Sequence, residues 1–470
     1  MPPMQALPDL DQLSVVDKDA LIRALFAKLQ ALSAQVKELQ GRVALNSRNS
    51  SRPPSSDGLA KPAPKSLRVA GQKPNGGQKG HGGHTLKSVA QPDHVHAHSP
   101  PSHCDACSLP LGVAAVVETR QVFDIPALRH EVTEHRVLGV RCSCGKLHRG
   151  AFPATVTASV QYGPRIKAAV VHLTHQQMLP LARTGALLGE LYGLSLSDAS
   201  VLSIQQEARL RLQPIVQEIG QAIAAAPVAH ADETGMRAKG ALQWMHVLAT
   251  PALTWVGAHA KRGKAAFEAL GLLSQFVGTL VHDGWRPYRD LPCTHSLCNA
   301  HHLRELTYVL EEMKQAWAQP LITLLVDGCH EVHVAGQPLV QERITHYRAR
   351  YNEILAQGQA VNPRAPRSGK RGGTKQSKAL NLIDRLALYA DDVWRFMTDV
   401  GVPFTNNTAE QAVRMPKVKQ KVSGGFRTLE GLSTFCTIRS YLATLHKQGE
   451  NLFEALVQTF QGTPTRPRFA

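Results

Sequence analysis

Two acidic residues end short apolar runs, and a third follows much later in the chain. Asp232 lies in "VAHADETGMR" and Asp283 closes "GTLVHDGW", both of which read as strands. Laid side by side, those strands bring the two acids together. Carboxylates about 4 Å apart repel by roughly 4 kcal/mol at an effective dielectric of 20, a cost that divalent cations remove. Magnesium takes oxygen ligands and keeps positions open for phosphate, and two ions about 3.5 to 4 Å apart suit an in-line displacement at phosphorus. Two ions call for a third carboxylate, and Glu410 in "VPFTNNTAEQAVRMPKVKQKVSGGFR" is the candidate. Each acid also has a plainer role. Asp232 adjoins Glu233, and on a strand the two point to opposite faces, so only one can join a site. Asp283 before Gly284 reads equally as a turn residue. Asn407 with Glu410 three residues on reads as a capping box on a helix that Pro416 soon stops.

After Glu410 come Arg414, Lys417, Lys419, Lys421 and Arg427, with no acid between Gln411 and Thr428. Such a run suits backbone phosphates. "VNPRAPRSGKRGGTKQSK" adds Arg364, Arg367, Lys370 and Arg371, either a second polyanion contact or a solvated charge run. The whole chain of 470 residues carries a formal charge of +17 and a sequence pI near 9.7, which favours nucleic acid over an acidic membrane surface. No stretch approaches the roughly 18 apolar residues of a spanning helix. "MPPMQALPDLDQL" has neither the basic start nor the apolar core of a signal peptide, so a cytoplasmic location is expected.

Four of the eight cysteines share one window: Cys104 and Cys107 in "HCDAC", Cys142 and Cys144 in "VRCSCGKLH". The strand-like text between them, "VVETRQVFDIP" and "HEVTEHRVLGV", suits a tetrahedral zinc site on two hairpin knuckles. The second pair is C-x-C, which leaves His148 and His103 as alternative fourth ligands. "CTHSLCNAHH" offers Cys293, His295, Cys298, His301 and His302, but at the spacing of no standard finger, so packing and hydrogen bonding explain it more cheaply. "GAHAKRGKA" fails as a phosphate loop, with five residues between its glycines and Ala265 where a hydroxyl belongs.

The elements that must position these groups follow from periodicity. Residues 1–45 hold Ile22, Leu25, Leu29, Leu32, Val36, Leu39 and Val43 in an a/d rhythm, a coiled-coil-like helix or one packed on its own domain. Residues 46–100 are a basic Ser/Pro/Gly-rich linker, 101–155 the zinc-finger domain and 156–226 a helical module that binds DNA or bridges. Over 227–304, three strands, a helix and a fourth strand open a ribonuclease-H-like α/β core. The 127 residues from Asp283 to Glu410 are too many for a loop, so 305–400 is a helical insertion with a basic loop. Residues 401–470 complete the core. The fold class is therefore multidomain α+β.

These segments resemble the insertion-sequence-66 family of bacterial transposases over nearly the whole chain, through "NSRNSSRPPSSDG", "GGQKGHGGHTL", the cysteine pairs, "HADETG", "HDGWRPY", "CNAHHLREL", "PFTNNTAEQAVR" and "KVSGGFRT". The resemblance implies Asp232, Asp283 and Glu410 as an Asp-Asp-Glu triad binding two Mg²⁺ or Mn²⁺ ions, beside a structural Zn²⁺. Cys298 and His301 match the C-x2-H element of many such cores, with an architectural role. Gln411 stands where the family commonly has Arg. The implied activity is cleavage at insertion-sequence ends and strand transfer into target DNA, without a covalent protein–DNA intermediate. Implied partners are element ends, target DNA, further copies of the chain and accessory proteins of the same element, in the bacterial nucleoid. Rival readings are a non-enzymatic DNA-binding regulator derived from a transposase and a nuclease without joining activity.

Overall fold

A computed structural model describes residues 13–50, 57, 86–366, 374 and 376–469. Arg367, Lys370, Arg371 and much of the 46–100 linker lie outside the described residues. The chain forms two compact units, one of Met1–Pro64, Phe152–Thr184 and Ser197–Ala470, the other of Lys65–Ala151 and Gly185–Leu196.

In the larger unit, α1 (Val15–Val43) starts at Ser14, whose hydroxyl accepts the Asp17 amide proton. All seven apolar residues of its heptad stripe are exposed, so among the described residues the helix does not bury that face on its own chain. Among the described residues, its C-terminal end is the part tied to the rest of the unit. Tyr308 donates its hydroxyl to the Gly41 carbonyl at 3.2 Å, and a Cβ at position 41 would stand 2.8 Å from that oxygen, which is why glycine sits there. The next turn is self-made: Asn46 and Asn49 accept the amide protons of Arg48 and Asn46, and Arg48 pairs with Glu311 at 2.9 Å.

In the smaller unit, β1 (Gly139–Arg141) and β2 (Leu147–Arg149) form an antiparallel hairpin. The two strands expected between the cysteine pairs are otherwise not formed: residues 112–138 make no paired strand, and Val113, Val116, Val117, Val122 and Val132 are exposed. Alternation gives a segment an apolar face, but a strand also needs a paired backbone and a surface to bury that face on, and neither is present among the described residues.

Helical text from 161 to 226 becomes α2 (Pro164–Val171), a π turn at His172–Gln176, α3 (Leu181–Tyr192) and α4 (Asp198–Ala224). The central sheet holds β3 (Val228–Ala238), β4 (Ala241–Ala249), β5 (Thr254–His259), β6 (Thr279–His282) and β7 (Thr294–Leu297), with α5 (Lys264–Leu270) between β5 and β6. Its order is β5-β4-β3-β6-β7; β3 to β5 are antiparallel, and β6 and β7 run parallel to β3. The fifth strand carries little signal in the sequence because "THSL" is four residues long and three of the four are polar.

Beyond the sheet follow α6 (Asn299–Glu311), α7 (Ala318–Ala335), α8 (Gln341–Ala360), α9 (Lys378–Leu388), α10 (Ala390–Thr398), α11 (Asn407–Ser423), α12 (Leu429–Lys447) and α13 (Leu452–Gln461). Helices α6 to α10 share a core in which Trp394, Tyr351, Leu325 and Leu386 are fully enclosed. Met236, Met245, Val247 and Val256 of the sheet pack on Leu432 and Phe435 of α12. Both sheet edges are closed by side chains. Ser440 and Thr444 of α12 accept the free amide protons of Val256 (2.8 Å) and Thr254 (3.0 Å) on β5, and Arg395 of α10 donates to the His295 carbonyl of β7 at 2.6 Å. Pro416 does not stop α11: it is buried inside the helix, where packing of the neighbouring Ala412, Val413 and Met415 on the core outweighs the missing hydrogen bond.

Candidate active site

The parallel register pairs Val228 with Thr279 and His230 with Val281. Two residues beyond that last pair stand Asp232, within β3, and Asp283, just past the end of β6, in phase on neighbouring strands. Burial above all, then the charges of Glu233, Asp283 and Glu410, push the Asp232 carboxyl up to about 8, against the opposing pull of the Glu233 amide. Three carboxylates are thus electrostatic neighbours. Asp283 also does turn work, accepting the Trp285 amide proton at 2.8 Å while Gly284 takes a φ of +86°.

Glu410 arrives from α11, and the first turn of that helix is bolted to β3. Asn406 donates its side-chain amide to the Ala231 carbonyl (2.8 Å), bonds the His230 ring (3.0 Å), and donates its backbone N–H to Cys298 Sγ (3.1 Å). The capping box is not formed. Asn406, not Asn407, holds the cap position, without a side-chain bond to the helix. The Glu410 carboxylate turns instead toward His301 Nδ1 and the Arg304 guanidinium, each 3.8 Å from Oε1, and toward Cys298 Sγ at 3.9 Å.

Glu233 faces the other way and is fully matched. Arg262 donates to it through Nε at 2.8 Å and through a second nitrogen, and Tyr288 donates its hydroxyl. The guanidinium lies between Trp244 (4.7 Å) and Trp285 (3.8 Å). Burial pushes the Glu233 carboxyl up and the bonds from Tyr288 and Arg262 pull it back. Arg262 comes from the segment dismissed as a phosphate loop.

The five cations after Glu410 divide. With about 3.6 residues per turn, Arg414, Lys417 and Lys421 share the Glu410 side of α11, while Lys419 falls opposite. Lys417 donates to the Gly235 carbonyl at 3.4 Å; burial lowers its ammonium pKa and Asp232 raises it. Lys419 is half-buried toward His175, whose pKa its charge helps to lower. Arg427 is exposed beyond the helix, and Arg364 pairs with Asp384 at 2.9 Å.

In the smaller unit each cysteine pair closes on itself. Backbone N–H groups of Cys107 and Ala106 lower the Cys104 thiol pKa, and those of Cys144 lower that of Cys142. The two pairs are not gathered into one cluster: among the described residues, the single group of three or more metal-capable donors within 4.8 Å is Cys298, His301 and Glu410. That group was missed in the sequence, where "CTHSLCNAHH" read as packing. The rest of that segment does pack: His302 bonds Asn299 at 3.0 Å and His295 bonds His282 at 3.2 Å. Asn406 and Arg304 were also unforeseen; the only signal was the doubled Asn ahead of "TAE".

Residues 159–434 match the Transposase IS66 family, and residues 5–87 match a family of unknown function (DUF6444). The chain belongs to the IS66 family of transposases, which implies a DNA-processing enzyme with DNA as its substrate. No curated protein matches the chain. No helix among the described residues is long and apolar enough to cross a membrane.

Proposed function

We propose that the chain cuts DNA at insertion-sequence ends and joins the freed ends to target DNA, using Asp232, Asp283 and Glu410 in a ribonuclease-H-like core. The observation that carries this reading is Asp232: a buried carboxyl raised to about 8 by burial and by its anionic neighbours, with no salt bridge among the described residues. An all-oxygen, electron-rich donor set of this kind fits a hard divalent cation. The three carboxylates would hold two Mg²⁺ or Mn²⁺ ions. When bound, such ions activate water or a 3′-OH for attack and stabilise the leaving oxygen. In support, the β3–β6 register sets Asp232 and Asp283 in phase and Asn406 ties the first turn of α11, which carries Glu410, to β3; Arg414, Lys417 and Lys421, on the Glu410 side of α11, would bind the backbone phosphates that approach. Neither step uses a Tyr or Ser nucleophile.

Around this centre we assign the exposed stripe of α1 to self-association as a coiled coil, α6 to α10 to the insertion, and the 101–155 segment to a zinc finger. Amides directed at the Cys104 and Cys142 sulfurs favour thiolates there, which suits Zn²⁺ at each pair; one ion on Cys104, Cys107, Cys142 and Cys144 would require the two pairs, separate in this structure, to come together. The expected location is the bacterial nucleoid. The test is cleavage and joining of a labelled element end in Mg²⁺ or Mn²⁺. Wild-type protein cuts and joins, while Glu410→Gln binds the same DNA and does neither. Joining by Glu410→Gln at the wild-type rate would refute the triad; binding without cutting by the wild type would favour a regulator.

A further inference from the structure

We propose that Cys298, His301 and Glu410 form a separate site for a thiophilic divalent cation such as Zn²⁺, and that occupancy diverts Glu410 from the aspartates. Cys298 immediately precedes α6 and His301 lies in its first turn, three residues on, so both side chains share one face. Glu410 reaches them from α11. Glu410 Oε1 is 3.9 Å from Cys298 Sγ and 3.8 Å from His301 Nδ1, and all three donor atoms lie within 4.8 Å of one another. A tetrahedral zinc ion, with bonds of about 2.3 Å to sulfur and about 2.0–2.2 Å to nitrogen and oxygen, needs donors roughly 3.4–3.6 Å apart. Closing the observed triangle therefore takes shifts of about 1 Å or less.

Two features point to an ion rather than to packing. N–H groups of Asn406, Ala300 and His301 all bear on the Cys298 sulfur; burial and the Glu410 charge outweigh them and push the metal-free thiol up to about 11, so the sulfur needs a cation to shed its proton, and the amides stand ready to support the bound thiolate. His301 Nδ1 is buried without a hydrogen-bond partner while facing the carboxylate. Thiolate and imidazole select Zn²⁺ over Mg²⁺, which sets this site apart from the all-oxygen one beside it. Binding displaces the Cys298 thiol proton to solvent. Three protein ligands leave one position open. Diversion of Glu410 rests on the proposed function; cation binding does not.

The probe is Co²⁺, titrated into the full chain and followed by sulfur-to-cobalt charge-transfer absorption, with circular dichroism as the folding control. The cysteines at 104, 107, 142 and 144 contribute equally to every sample. Wild type is expected to take up one more thiolate-bound Co²⁺ than Cys298→Ser, and His301→Ala to weaken that equivalent at least tenfold. Should Cys298→Ser fail to fold, His301→Ala decides alone. Identical stoichiometry and spectra in wild type and the folded variants would overturn the site. A chain that binds this Co²⁺ yet never cuts DNA would sink the proposed function and leave the cation site standing.

Discussion

Asp232 and Glu233 are adjacent carboxylates on one strand, and the protein treats them in opposite ways. Glu233 faces a layer of aromatic side chains and is matched by Arg262 and Tyr288. Asp232 faces α11 among other acids, and burial and like charge both oppose its ionisation. A carboxylate buried beside a cation completes a structure, whereas one buried beside anions is costly until a cation arrives. Strand alternation alone produces the division, by sending successive side chains to opposite faces.

The widest separation between the two is expected in activity. Asp232→Asn should lower strand joining by at least about 10³-fold, the scale on which groups acting on transition-state charge contribute, while Glu233→Gln keeps measurable joining. Equal losses would erase the distinction. In stability the order reverses. Glu233→Gln leaves the Arg262 guanidinium short of its counter-charge and should cost about 3 kcal/mol in urea denaturation, whereas Asp232→Asn relieves repulsion and should stabilise the metal-free protein.

A third test uses the neutral side of the same sheet. His246 lies opposite Glu233 on β4, buried, with its pKa lowered to about 4. His175, packed near Phe435 of α12, is lowered to about 3. The unfolded chain binds these protons first, so their contribution is complete above about pH 6.5 and is lost as the pH falls toward 4. At pH 5 each should cost about 2 kcal/mol relative to pH 7.5, and His246→Gln should flatten the pH dependence by its share. The smallest effect concerns α11: Lys417→Ala should reduce the salt slope of DNA binding by about 1, and Lys419→Ala, on the opposite side, should leave it unchanged.

Much of this arrangement was legible in the sequence. Alternation located β3, β4 and β5 within a residue or so, the apolar "GTLVH" located β6, and the heptad rhythm located α1. Asp232 and Asp283 followed from the apolar runs that lead into them, though β3 continues past Asp232 to Ala238. Less was legible wherever tertiary partners decide. "VVETRQVFDIP" has a strand's alternation and no paired partner strand, Pro416 has a helix breaker's chemistry and a buried place inside a helix, and the capping-box spacing of Asn407 and Glu410 lost to Asn406's bonds with β3. The cluster of Cys298, His301 and Glu410 joins residues 112 positions apart, beyond the reach of any local spacing rule.

The hydroxyls that close the β5 edge come from far along the chain: Ser440 is 184 residues beyond Val256, and Thr444 is 190 beyond Thr254. At about 5–20 residues per second, a ribosome needs roughly 10–40 s to cover that distance. Through that interval a nascent chain carries β5 with its amides open to any passing strand, and the helix that delivers Glu410 is among the last parts made. Glu410 itself is made only 30 residues before Ser440, so the closing of the sheet edge and the completion of the candidate site fall at nearly the same late stage of synthesis.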